Sequence, residues 1–203
     1  MPKATHPSVV VIGGPNGAGK TTISRAVLAG TLGITEFVNA DIIAQGLSGF
    51  EPERAAVQAG RIMLNRVHEL AESRANFAFE TTLASRTFAP WLRTIVEGGY
   101  RFYLTFVWVS SPEISIRRVA ARVAKGGHFV PDEVVRRRHG RGTANFLNLY
   151  MPLAHRWVAY NNSGSGTLEP IASGGLGRAV RVSDRTIWKA LNETATRANT
   201  QDD

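Results

Sequence analysis

Apolar residues in this chain fall into two patterns. Short β-branched or aromatic runs alternate with longer segments whose apolar positions step by three and four. Ser8 to Ile12 is a run of the first kind, bounded by Gly13 and Gly14, and predicts a strand buried on both faces. Lys20 to Leu28 predicts the helix that follows. Glu36 to Asn39 is a weaker strand leading to Asp41. Between Glu51 and Ser73, the residues Ala56, Ala59, Met63, Val67 and Leu70 form one helical stripe, and Pro52 suits its first turn. Asn76 to Phe79 predicts a strand ending at Glu80, and Ser85 to Glu97 a helix stopped by Gly98 and Gly99. Arg101 to Val109 is a long β-rich run. A basic helix over Ser111 to Ala124, a Gly126-Gly127-His128 turn and a helix starting at Pro131 come next. Asn145 to Tyr160 reads as a helix kinked at Pro152, and 161–166 as a loop. Short strands are predicted over Thr167 to Ala172 and Ala179 to Val182. Ser183 or Asp184 caps a last helix through Arg197, with Ile187, Leu191 and Ala195 on one face. Residues 199–203 read as a frayed tail.

Strands alternating with helices predict a three-layer α/β fold: a mostly parallel sheet of five to six strands with helices on both faces. Ligands of such sheets sit beyond the carboxyl ends of the strands. The polar residues expected there are the loop at 13–21, Asp41, Glu80 with Thr81 and Thr82, and Ser110 with Ser111. The 203 residues contain no repeat, low-complexity tract or clear linker, so one domain over 1–203 is expected. There is no cysteine, which removes disulfides and thiolate metal sites and agrees with a reducing compartment. The segment before Ser8 lacks an apolar signal core, and the run after it is too short to cross a bilayer. A cytoplasmic protein with no membrane association is the expectation.

Charge changes this picture locally. The chain carries +8, and 117–141 holds eight Arg or Lys against Asp132 and Glu133 alone. A basic, lid-like segment over 117–141 asks for an anion. The anion is indicated by Gly14-Pro15-Asn16-Gly17-Ala18-Gly19-Lys20-Thr21, which fits G-x4-G-K-[ST] between a strand and a helix. Backbone amides in such a loop, with the helix N-terminus behind them, cradle phosphates. Residues Gly14 to Thr22 are the predicted nucleotide site. Lys20 is expected on the outer phosphates and Thr21 on magnesium. The fold is thus expected to be that of a P-loop NTPase. Transporter-type ATPases share this spelling but add LSGGQ and a strand ending in Asp-Glu, and this chain has neither. The base-reading Asn-Lys-x-Asp of G-proteins is also missing, which favours ATP.

Two acids stand at predicted strand ends. Asp41 is the candidate base for an acceptor hydroxyl, and Glu80 is the candidate for the magnesium side or for gripping the acceptor; the two roles can be exchanged. Each acid can equally be read as a helix or turn cap. Thr82, Arg86 and Arg137 are assigned to the acceptor side. A nucleic-acid backbone would also suit the basic segment. No aromatic interleaves with the arginines before Phe146, however, and no helix-turn-helix or zinc pattern appears, so nucleic acid is not the expected partner. The alternative to a kinase is an ATPase module that couples hydrolysis to a nucleic-acid or protein partner.

The phosphate loop is followed in order by Asn39-Ala40-Asp41, Phe79-Glu80-Thr81-Thr82-Leu83, Gly126-Gly127-His128-Phe129-Val130-Pro131 and Arg136-Arg137-Arg138. Asn145-Phe146-Leu147-Asn148 and Tyr160-Asn161-Asn162-Ser163 come later. Together these resemble the zeta-toxin family of P-loop kinases, in its short, chromosomally encoded form, over about 10–165. The resemblance implies transfer of the γ-phosphoryl of ATP, with magnesium, to a hydroxyl of a small molecule, a nucleotide sugar such as UDP-N-acetylglucosamine being suggested. It implies Asp41 as base and Glu80 as an active-site contact. It also implies Arg122, with His128 or an arginine of the 136–138 run, as the clamp on the moving phosphoryl. A cognate antitoxin protein is the further partner it raises. The chain lacks much of the C-terminal extension of the plasmid-borne toxins, where part of the sugar-nucleotide pocket lies.

Overall fold

In a computed structural model of the chain, residues 6–28, 34–49, 51, 54–127, 129–164 and 167–200 are described. Strand β1 (Ser8–Gly13) is buried along its whole length. Its Val9 and Val11 face one hydrophobic layer, and Val10 and Ile12 face another. This is the period-two alternation of a strand covered on both sides. Parallel strands flank it: β3 (Phe77–Thr81) on one side and β4 (Arg101–Trp108) on the other. Beyond β3 lies β2 (Glu36–Val38), and beyond β4 lies β5 (Arg156–Asn161), both parallel. The antiparallel strands β6 (Glu169–Gly175) and β7 (Arg178–Val182) complete the order β2-β3-β1-β4-β5-β6-β7.

The helices complete three layers. On one face, Met63, Val67 and Leu70 of α3 (Ala56–Glu72) and Phe88, Ala89 and Leu92 of α4 (Phe88–Glu97) join Phe77, Phe79, Phe102 and Phe106 of the sheet. Leu191 of α7 (Arg185–Asn199) belongs to the same core. On the other face, Ile23 of α1 (Lys20–Leu28) packs with Ala18, Val107 and Val109, and Ile114 of α5 (Pro112–Val123) packs against that cluster. The helix α6 (Asp132–Asn145) is joined to α5 through Val119, Val130 and Val135. No helix among the described residues is long and apolar enough to cross a membrane.

Three expectations need correction. The sheet has seven strands, and the strand missed is β5. Phe146, Tyr150, Leu153 and Trp157 are spaced like a helical stripe, but the chain leaves α6 through a π-helical turn (Phe146–Tyr150) and a 3-10 turn (Met151–Leu153). It then runs extended, burying Trp157, Ala159 and Asn161 alternately. Pro152 ends helical geometry instead of kinking it, because its ring and missing N–H cannot continue the ladder. Second, Asp41 does not end a strand: it lies in the first turn of a short helix, α2 (Ala40–Leu47), capped by Asn39. Third, α3 begins at Ala56 and α4 at Phe88; Pro52 lies outside the described residues. Of the two candidate caps for α7, Asp184 is the one used, accepting from the Ile187 amide at 2.9 Å.

Candidate active site

The loop between β1 and α1 turns on three left-handed glycines, Gly14 (φ 143°), Gly17 (φ 73°) and Gly19 (φ 89°). Sterics bar side chains there as well. A Cβ on Gly14 would stand 2.2 Å from the Val107 carbonyl oxygen, and one on Gly17 2.7 Å from that of Ser115. The loop is thus pressed against β4 and α5. Asn162, just past β5, holds it from the far side by donating Nδ2 to the Ala18 carbonyl at 2.8 Å. Arg118 on α5 donates to the carbonyls of Asn162 (2.7 Å), Gly164 (2.8 Å) and Gly17 (3.5 Å). A loop fixed on both sides keeps its amides converged at the N-terminus of α1, where an anion is favoured.

Lys20 folds back into this loop and donates to the Pro15 carbonyl at 3.0 Å, with Glu80 Oε1 at 3.7 Å. Its burial lowers its pKa, and the negative charges of Glu80 and Asp41 oppose that shift. An arriving phosphate would favour the ammonium further, since an opposite charge at contact favours the charged form. Thr21 donates Oγ1 to Glu80 Oε2 at 2.9 Å, and Asn39 donates Nδ2 to the same oxygen at 2.9 Å. Glu80, next to last in β3, is therefore brought to the first turn of α1. Asp41 stands across the same cleft, where Arg122 on α5 reaches its Oδ2 at 3.3 Å. Arg138 on α6 also lines the cleft and approaches Asn16 Oδ1 at 3.4 Å; burial weakens its hold on the proton, and Asp41 counters this.

The cleft has a volume of about 260 Å3. Lys20, Asn39, Asp41, Glu80, Thr81, Thr82 and Arg138 supply its polar lining, and Ala40, Ala44, Ala56, Gly60 and Met63 form an apolar wall from α2 and α3. The structure therefore brings together Lys20, Thr21, Asp41, Glu80, Thr82 and Arg122 from four separate segments. Arg86 and Arg137 are not brought there. Arg86 is exposed in the turn before α4, and Arg137 is exposed on α6. A helix turns about 100° per residue, so of three adjacent arginines one faces the cleft. That one is Arg138; Arg136 pairs with Glu113 on α5 instead. His128 lies outside the described residues.

No group of three or more His, Cys, Asp or Glu among the described residues could hold a metal ion. The pair Thr21 hydroxyl and Glu80 carboxylate, 2.9 Å apart, fits a magnesium ion that arrives with a nucleotide and keeps several waters, not one caged by protein. Sequence reasoning missed Asn39, Arg118 and Asn162 as parts of the site. Asn39 carried a signal, an asparagine directly before a helix start. The other two act through backbone carbonyls, which no side-chain motif announces.

This geometry has parallels among known proteins. A family model described as an AAA domain matches residues 9–146, more than half of the chain. The chain belongs to that family. The matched span of the AAA domain runs from β1 through α6 and so contains every residue that lines the cleft, but not Asn162, which braces the phosphate loop. An uncharacterized protein of Haemophilus influenzae is 29% identical over 126 residues, covering 62% of this chain and 88% of that protein. Among solved structures, AvrRxo1-ORF1:AvrRxo1-ORF2 crystallised with ATP contains a chain with a TM-score of 0.74 at 16% identity, covering 92% of this chain. The present chain spans 63% of that one's length. A chain from the PezAT chromosomal toxin-antitoxin system of Streptococcus pneumoniae gives 0.60 at 17% identity, covering 97% of this chain and 88% of that one. At such identities the likeness establishes the fold, an α/β P-loop kinase-like architecture.

Proposed function

We propose that the cleft is the active site of a small-molecule kinase that moves the γ-phosphoryl of ATP to a hydroxyl group. The observation that carries this reading is the placement of two carboxylates in one cleft beside the phosphate loop. Glu80 is bonded to Thr21 on the donor side, and Asp41 is free to face an acceptor beside Arg122. A hydrolase needs no acceptor pocket, whereas here an apolar wall of Ala40, Ala44, Ala56, Gly60 and Met63 adjoins Asp41. The ATP in the AvrRxo1-ORF1 complex supports ATP as donor, and the partner chains named for both structural relatives support a cognate antitoxin-like protein partner. A nucleotide sugar is the acceptor class we infer, in the manner of zeta toxins.

In this reading the loop amides and Lys20 would hold the β- and γ-phosphates, and Thr21 with Glu80 would hold a hydrated magnesium ion. When bound, magnesium would neutralise charge on the phosphates. Asp41 orients the acceptor hydroxyl and takes its proton as the new O–P bond forms. The bond from the γ-phosphorus to the bridging oxygen breaks, and ADP leaves. Arg122 and Arg138 stand over the transferring group, where developing charge rewards a preplaced guanidinium. Arg122 also holds the Asp41 carboxylate in place, at 3.3 Å from its Oδ2.

The test is to incubate the protein with ATP, magnesium and a panel of nucleotide sugars and small hydroxyl metabolites, and to detect a phosphorylated product by mass. Lys20→Ala should lose product and nucleotide affinity together. Asp41→Asn should keep ATP affinity and lose transfer by about a hundredfold or more, the usual worth of a positioned base. A fully active Asp41→Asn protein would remove Asp41 as base. ATP hydrolysis without any phosphorylated product, accelerated by nucleic acid, would overturn the kinase reading.

A further inference from the structure

Asn39 leaves β2 as a buried polar residue, 5% exposed. Its Oδ1 accepts from the amides of Asp41 at 2.8 Å and Ile42 at 3.2 Å. Its Nδ2 donates to Glu80 Oε2 at 2.9 Å. The two ends of the amide are set by their neighbours. Reversed, the carbonyl would face a carboxylate and the amino group would face two N–H donors.

Capping alone does not demand this residue, because Asn, Asp and Ser serve about equally well at a helix N-terminus. What only the amide offers is an acceptor at one edge and a donor at the other. An aspartate would cap α2 and set a second negative oxygen against Glu80. A serine would cap α2 and fall short of Glu80. The shared oxygen is the informative feature: Glu80 Oε2 also receives Thr21 Oγ1 at 2.9 Å. A continuous chain of hydrogen bonds thus runs from the first turn of α1, through Glu80 and Asn39, to the backbone of Asp41. It crosses the cleft from the donor side to the acceptor side.

We propose that Asn39 is a positioning residue that fixes Asp41 relative to Glu80 and Thr21, and that phosphoryl transfer depends on this join and not only on the cap. The inference rests on the kinase reading of the same cleft. Without the join, α2 keeps its N-terminal turn but is released from β3. The base is then held by its own short helix and by the partly exposed Arg122 contact. Orientation losses of this kind act on the chemical step more than on nucleotide binding.

Three variants of the full chain separate the join from the cap: Asn39→Ser, Asn39→Asp and Asn39→Ala. Each is read for melting temperature, for ATP affinity with magnesium, and for ADP formation from ATP with water as the acceptor. Asn39→Ser should melt within a few degrees of the parent, bind ATP within about threefold, and lose turnover by about ten- to a hundredfold, the worth of a hydrogen bond to a charged group. Asn39→Asp should lose at least as much turnover as Asn39→Ser although it is an equal cap. Asn39→Ala should lose stability as well. Turnover that simply follows melting temperature across the three, with Asn39→Asp as active as the parent, would overturn the join. A parent protein that neither binds ATP nor forms ADP would overturn the kinase reading and the join with it.

Discussion

A single residue's direction decides much of this site. Arg136, Arg137 and Arg138 are identical in chemistry, yet one pairs with Glu113, one faces solvent and one lines the cleft beside Asn16. The helix rotation alone makes the difference. Arg138→Ala should therefore lower kcat by about a hundredfold, in the range found when one charge-stabilising donor is removed. Arg137→Ala should leave kcat within about twofold, because an exposed charge is screened by water. Steady-state kinetics on the pair checks this. The next residue on α6, His139, makes a different prediction. It is buried, and its Nε2 lies 2.8 Å from the Val109 carbonyl, so that nitrogen carries the proton and donates. Desolvation lowers its pKa, against the pull of the Val109 hydrogen bond and the Glu113 charge. The unfolded chain then takes up the proton first. This histidine's contribution is complete above the unfolded value of about 6.5 and is lost as pH falls through the folded value. Urea unfolding at pH 7.5 and 5.5 should show that loss, and His139→Gln, a donor that does not titrate, should reduce it.

At the scale of elements, helix glycines can be sorted by what stands over them. Gly142 in α6 is pressed on the loop after β3, where a Cβ would meet the Thr82 carbonyl oxygen at 2.4 Å. A Cβ on Gly60, in the second turn of α3, would meet nothing within 4 Å, and Gly60 lines the cleft. Gly142→Ala should destabilise the protein by about 1–3 kcal/mol through overpacking against backbone. Gly60→Ala should stabilise it by about 0.5–1 kcal/mol through helix entropy. Gly60→Leu should narrow the acceptor side, lowering turnover of bulky acceptors at unchanged ATP affinity. Thermal melts and acceptor kinetics distinguish the two positions. The elements also explain what could be read ahead of the structure. Strand β1 is legible because burial on both faces makes it a near-continuous apolar run, and β3 and β4 because short aromatic and β-branched stretches dominate their buried positions. Strand β5 was hidden because Trp157 continues the spacing of Phe146, Tyr150 and Leu153, and a four-residue step does not reveal where the backbone straightens. The helix α2 was hidden by its length, two turns holding Gly46. The loop, Lys20, Thr21, Asp41 and Glu80 were legible because their chemistry sits in side chains near strand ends. Arg118 and Asn162 were not, because they grip carbonyls that only the folded chain assembles.

For the whole molecule the question is whether the segment beyond residue 146 is an appendage or part of the machine. The family match ends at 146, but β5, β6 and β7 extend the same sheet. Trp188 of α7 stacks on Trp157 of β5 with ring centroids 6.0 Å apart, and Leu191 and Ala195 are buried beneath the same helix. Near the end of α7, Ala198 stands so close to α6 that a Cβ on Gly140 would meet it at 3.1 Å. The late segment therefore braces the helix that carries Arg138 and His139, and through Asn162 it braces the phosphate loop. An appendage would unfold by itself and leave β1 protected. A braced fold would lose both together. Leu191→Ala removes a fully buried side chain far from the cleft and should cost about 2–5 kcal/mol. We expect one cooperative transition at a lower midpoint, with hydrogen exchange at the β1 amides accelerated to the same extent as at β6, since both open only with the global transition. Two separated transitions, with β1 protection unchanged, would show that residues 8–146 stand alone and that the C-terminal strands serve something other than the cleft.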